Sequence, residues 1–184
     1  DVSMDITNFI DGLLIQPNSD GSAPTTGTLS TAIGNVGIGK STFTALTSGD
    51  YNVALGYGTL PSNTTGSENI AIGSYVLDAN TTGNYNVAVG ANALDKNTTA
   101  SNNVAVGKDA LDANTTGYYN VAVGEASMGA KADGHSNTAV GHEALKANTT
   151  GDTNVAVGNG ALTTNTTGNS NVAVGANALR LNTT

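Results

Sequence analysis

Apolar and polar positions alternate along this chain in one pattern that returns at a constant step. The pattern starts with an Asn at 35, 52, 69, 86, 103, 120, 137, 154 and 171, and its consensus is N-V-A-V-G-x-x-A-L-x-x-N-T-T-G-x-x. The Gly after each apolar triplet keeps step from Gly39 to Gly175, without insertion or deletion. Numbering each unit from its Asn, the Val-Ala-Val triplet has the period of a β-strand, and Ala-Leu at positions 8 and 9 reads as a second short strand. Asn-Thr-Thr-Gly is turn chemistry, since Asn bonds its own backbone and Gly accepts positive φ. A unit that runs only from one such Asn to the next is too short for helical-repeat modules. Two short strands and two turns per unit predict an all-β parallel solenoid of nine coils over residues 35–184. At about 4.8 Å per coil, it would be roughly 40–45 Å long.

The columns predict what each side of the coil does. Position 9 is Phe43, Leu60, Leu77, Leu94, Leu111, Met128, Leu145, Leu162 and Leu179, large and apolar in every unit and expected inside. Positions 2 and 4 carry Val, Ile or Leu, as in Val87 and Val89, and share one strand face. Position 3, on the other face, is Gly37 and then Ala54, Ala71, Ala88, Ala105, Ala122, Ala139, Ala156 and Ala173. A solvated column would accept Thr, Lys or Glu. The run of Ala therefore predicts a second buried face at close approach, with another chain as the covering surface, and so an oligomer packed through the Ala column. The position-1 Asn column has two readings, a stacked amide ladder or side chains bonded locally in a turn.

The repeat phrases NVAVGANAL, NTAVGHEAL and NTTGNSNVAVG resemble those in head regions of trimeric autotransporter adhesins. They resemble still more closely the repeats of bacteriophage tail-fibre and related virion-appendage proteins. GNVGIGKST, beginning at Gly34, is similar to a phrase near the repeats of fibres that end in a self-cleaving chaperone domain. The resemblance covers residues 35–184. It implies a left-handed β-roll associating as a homotrimer, on a virion appendage or a cell surface.

Composition narrows the remaining chemistry. Six Lys plus Arg against fourteen Asp plus Glu give a net charge of −8, which argues against a nucleic-acid-binding surface. With no Cys there is neither a disulfide framework nor a thiolate metal site. No apolar run is long enough to span a bilayer, so no membrane-inserted helix is expected. No cofactor is expected and no turnover chemistry.

Several motifs have both a chemical and a structural reading. Gly34 to Ser41 matches the phosphate-cradling GxxxxGK(S/T) loop, but a βαβ context is missing, and Asn35 and Gly39 sit in the repeat columns. Asn63, Asn80, Asn97, Asn114, Asn148, Asn165 and Asn182 each open an Asn-Thr-Thr glycosylation sequon. Repetition of one favourable turn explains them better, because the unit from Asn120 has Lys131-Ala132-Asp133 there instead. Stacked Thr rows also suggest an ice-binding face, as a lesser alternative. Asp78, Asp95 and Asp112 share position 10 and are expected on a solvated edge, with a cation or acid–base role as the other reading. His135 and His142 are expected as exposed surface residues. Tyr51, Tyr85 and Tyr119 recur at position 17 in every second coil. With Tyr118 they are either sugar-stacking contacts or corner packing.

Residues 1–34 precede the period and read as a cap, an attachment segment or a strand lent to a neighbour. The functional expectation is a structural and adhesive fibre segment that binds a cell-surface glycan or receptor. The alternative is a subunit of a bacterial extracellular filament assembling head to tail. A fibre-borne glycan hydrolase, with the Asp column as its carboxylates, is a third.

Overall fold

The computed structural model describes residues 2–3, 12–15, 30–130 and 133–184. Among them there is no helix. The chain forms one sheet whose strands follow sequence order. They are β1 (Val2–Ser3), β2 (Leu13–Ile15), β3 (Val36–Ile38), β4 (Val53–Leu55), β5 (Ile70–Ile72), β6 (Val87–Val89), β7 (Val104–Val106), β8 (Val121–Val123), β9 (Thr138–Val140), β10 (Val155–Val157) and β11 (Val172–Val174). From β2 to β11 every pairing is parallel, and from β3 onward each strand residue faces the same position of the next unit, as Ala88 faces Ala105 and Ala105 faces Ala122. This is the expected β-solenoid.

Each unit contributes one strand, not two. The Ala-Leu segment turns, with position 9 held at positive φ from 47 to 54. Such a conformation costs a residue with a Cβ roughly 1–2 kcal/mol. Bonds between coils hold it there, as in Leu94 N–H to the Ala110 carbonyl at 3.0 Å and Leu111 N–H to Ser127 at 3.0 Å. At position 5 the Gly is obligatory. Gly90 has φ +125, and a Cβ there would lie 2.6 Å from the main chain of Gly107 in the next coil.

The interior column is as expected from Phe43 to Leu162, whose position-9 side chains are fully buried, but Leu179 is 52% exposed because no further coil packs on it within the chain. The two strand faces are the reverse of the expectation. Ala54, Ala71, Ala88, Ala105, Ala122, Ala139 and Ala156 are 0% exposed within the single chain, and Ala173 is 3% exposed. They belong to the core with the Leu column, so they are not a surface that another chain covers. The flanking Val residues point outward and are half-buried or exposed. The physical reason is room. So short a coil encloses one Leu, two Asn side chains and a position-8 residue such as Ala93 per layer, and only a methyl group fits opposite. The first coil shows the limit: Phe43 replaces Leu, and a Cβ at Gly37 would lie 2.9 Å from its ring.

Residues ahead of the period join the same sheet. Leu14 is fully buried and faces Gly37 across the parallel β2–β3 pair, while β1 runs antiparallel to β2. The other residues before Ser30, and with them most of the expected cap or donor segment, lie outside the described residues.

Candidate functional site

Two polar columns run inside the coil. At position 1, the main-chain N–H of every Asn from Asn52 to Asn171 donates to Oδ1 of the Asn one coil earlier, at 2.9–3.0 Å. The Nδ2 group reaches across the coil to the carbonyl at position 15, as from Asn52 to Gly66 at 2.9 Å. The ladder reading of this column therefore holds, as in Asn52 Nδ2 to Asn35 Oδ1 at 3.0 Å, whereas beyond Asn35 the side chains bond across the coil rather than locally in a turn.

The sequence reading does not anticipate the second column. Asn80 donates to Asn63 at 3.0 Å, Asn97 to Asn80 at 2.8 Å and Asn114 to Asn97 at 3.0 Å. These are the sequon asparagines. Asn63, Asn80, Asn97, Asn114, Asn148 and Asn165 are 0% exposed, so the folded chain does not present their amides for glycosylation. The sequence interrupts this column with Lys131, and Asn114 Oδ1 is buried with no hydrogen-bond partner. The recurrence of Asn at one place in nearly every unit was the available signal, as it was at position 1.

The sequon threonines divide. Position 13 turns its hydroxyl onto the next coil's carbonyl, as Thr64 to Thr81 at 3.0 Å. Position 14, as in Thr65, Thr82 and Thr99, is left as one exposed row. The GxxxxGK(S/T) segment forms β3 followed by a turn. It lacks the helix whose N-terminus would hold a phosphate.

The acidic column is half-buried, not fully solvated. Burial, then the charge of Asp95, pushes the Asp78 carboxyl above the ordinary carboxylate value. Asp95 pairs with Lys96 at 2.6 Å. Burial, then the charge of Asp109, raises Asp112, whose Oδ1 is enclosed without a partner. Asp109 is held low by Lys108 and by Asn92, which donates to it at 2.8 Å. Where Gly129 interrupts the column, a cleft of about 500 Å³ opens. Asp109 and Asp112 lie on its edge, with Ala126, Ala130, Ala147 and Lys146 also lining it. Lys146 is already paired with Glu143 at 2.6 Å.

The aromatic residues form the outer relief. Tyr51, Tyr85 and Tyr119 are 60%, 55% and 58% exposed, more than corner packing would leave. Their column has the same positive φ in every coil, from Tyr51 at 55 to Ser170 at 57. Tyr118 stacks on His135 with ring centroids 3.8 Å apart and meets Tyr119 edge-on at 5.3 Å. His135 is thus half-buried under a ring rather than free in solvent, while His142 is exposed as expected. A second pair, Tyr57 and Tyr75 at 5.2 Å, has no counterpart in the sequence reading.

The third surface is the outward strand face. Two columns of branched aliphatic residues run beside each other from β4 to β11, broken only by Thr138. No protein family, curated protein or solved structure matches the chain.

Proposed function

We propose that this chain is a structural and adhesive fibre segment, a stiff rod that associates side by side with copies of itself and presents repeated outer contacts to a surface. The observation that carries this reading is the outward Val face. An apolar strip about 40 Å long, interrupted in one column by Thr138, faces out of the chain half-buried or exposed, and strips of this kind mark association surfaces. Its partner must match a ridge spacing of about 4.8 Å over its whole length. A second copy carries that spacing by construction. Three copies is the number implied by the resemblance of the repeats to virion-appendage proteins. Such a bundle leaves the tyrosine and aspartate columns as candidate contacts, and many weak contacts on one rigid body add through avidity. A virion appendage or a cell surface is the setting that suits this design.

The test is a pair of charge substitutions on adjacent residues of one strand. Val104→Glu, facing outward, should leave the far-UV circular dichroism unchanged and convert the assembly to monomer in sedimentation equilibrium. Ala105→Glu should abolish the fold itself, because it buries a carboxylate with no partner. A wild-type chain that sediments as a monomer across the micromolar range would overturn the association.

A further inference from the structure

We propose that the position-17 column is a binding track for a β-1,4-linked pyranose chain, with Tyr51, Tyr85 and Tyr119 stacking on every second sugar. This rests on the adhesive reading above and names its ligand class.

The first argument is distance. Successive tyrosines of the three stand two units apart, which is two coils or about 10 Å. In an extended β-1,4-linked chain each ring is turned over relative to the last, so the same face returns once per disaccharide. The length of an extended disaccharide is that same two-coil step.

The second argument is orientation. Tyr51, Tyr85 and Tyr119 have φ of 55, 58 and 58. Their N–H groups are tied to the preceding coil through Ile33, Ser67 and Ser101 at 2.8, 3.1 and 3.4 Å. The Cα–Cβ directions are therefore parallel, so the three side chains leave a fixed main chain in the same direction before any ligand arrives, which lowers the entropic cost of binding.

The third argument is access. A Cβ at Gly34 would meet the Tyr51 ring at 2.6 Å, so that ring extends over the preceding coil, and Tyr51, Tyr85 and Tyr119 are all more than half exposed. Between the tyrosines stand Glu68 and Asn102, both exposed. They can take the hydroxyl groups of the intervening sugars. Chains linked α-1,4 or β-1,3 curve away from a straight row of equal steps and would meet one ring at a time.

The experiment uses the intact chain with particulate cellulose and chitin, and with amylose and a linear β-1,3-glucan as comparison polymers. Retention on cellulose or chitin and not on the other two is expected, and the two β-1,4 arms identify whether glucose or N-acetylglucosamine is preferred. Tyr85→Phe keeps the ring and should bind like the parent. The double variant Tyr85→Asn with Asn102→Tyr keeps three tyrosines but sets the steps to three coils and one. Its affinity should fall by about tenfold or more, the value of one lost aromatic contact, with circular dichroism unchanged. Equal binding to all four polymers, binding to none, or an unaffected double variant would overturn the track. Attachment to whole cells that persists in those cases leaves the adhesive reading standing, and its loss as well removes both.

Discussion

An asparagine inside this coil takes the part that a main-chain strand takes elsewhere. Asn86 donates to Asn69 Oδ1 at 3.1 Å and to the Ala100 carbonyl at 2.9 Å, and its own Oδ1 accepts the Asn103 N–H at 3.0 Å. Only an amide both donates and accepts in that geometry, which is why Thr, Ser and Asp never replace it in the column. Asn86→Asp keeps the shape and removes both donations, leaving a buried charge. We expect a loss of about 3–5 kcal/mol at neutral pH, measured by urea unfolding. Because burial would raise the new carboxyl above its unfolded value, the part of the loss that comes from charge should be regained fully only below the unfolded value. That part should be lost again as pH rises through the folded one, and a smaller deficit should remain at low pH, since a protonated carboxyl replaces at most one of the two donations. A deficit independent of pH would show that shape rather than charge is responsible.

At the scale of the element, each coil is a three-residue strand followed by turns, and the turns decide where chemistry can sit. Positive φ at positions 7, 9 and 17 in successive coils repeats the same side-chain directions, so any residue type placed there becomes a row. Substitution in one coil then opens a local feature, as Gly129 does beside Asp112. The Asp112 carboxyl is raised by burial first and by Asp109 second. A raised carboxyl makes the folded state favour the proton. Its contribution is complete below the ordinary value of 3.8 and lost as pH rises through the folded value. Asp112→Asn should therefore raise Tm at neutral pH, and the gain should vanish in scans at or below the ordinary carboxylate value. A gain of equal size under both conditions would assign it to hydrogen bonding alone.

As a whole molecule the chain is a one-dimensional stack, in which each coil touches only the coils before and after it. Unit deletions test this directly. Removing residues 86–102 takes out one complete repeat and should shorten the rod by about 5 Å, with the circular dichroism per residue unchanged. Small-angle scattering gives the length, with an unaltered cross-section as the second expected result. Removing Gly90 alone leaves one coil a residue short, so that coil cannot match the columns of both its neighbours, while the later coils keep their own step. That variant should lose stability at this junction in urea unfolding, and an unchanged stability would contradict the strict register.

The regular period, the parallel stacking and the burial of the Leu column were legible in the sequence, because side-chain type repeats wherever environment repeats. The Asn columns were legible as a regular spacing within one chain, but only the fold showed that position 12 lines the interior. The strand faces were not assigned correctly. Alternation says that Val and Ala point opposite ways, and hydrophobicity ranks Val as the inner residue. Steric fit inside a narrow coil overrides that ranking and places the methyl group of Ala105 within and the side chains of Val104 and Val106 without. The exchange of Gly37 for Ala where Phe43 replaces Leu was the one trace of this packing in the sequence. Only the tertiary structure decided it, because whether a face is inner or outer depends on the curvature of the coil, and curvature comes from the turns rather than from the strand.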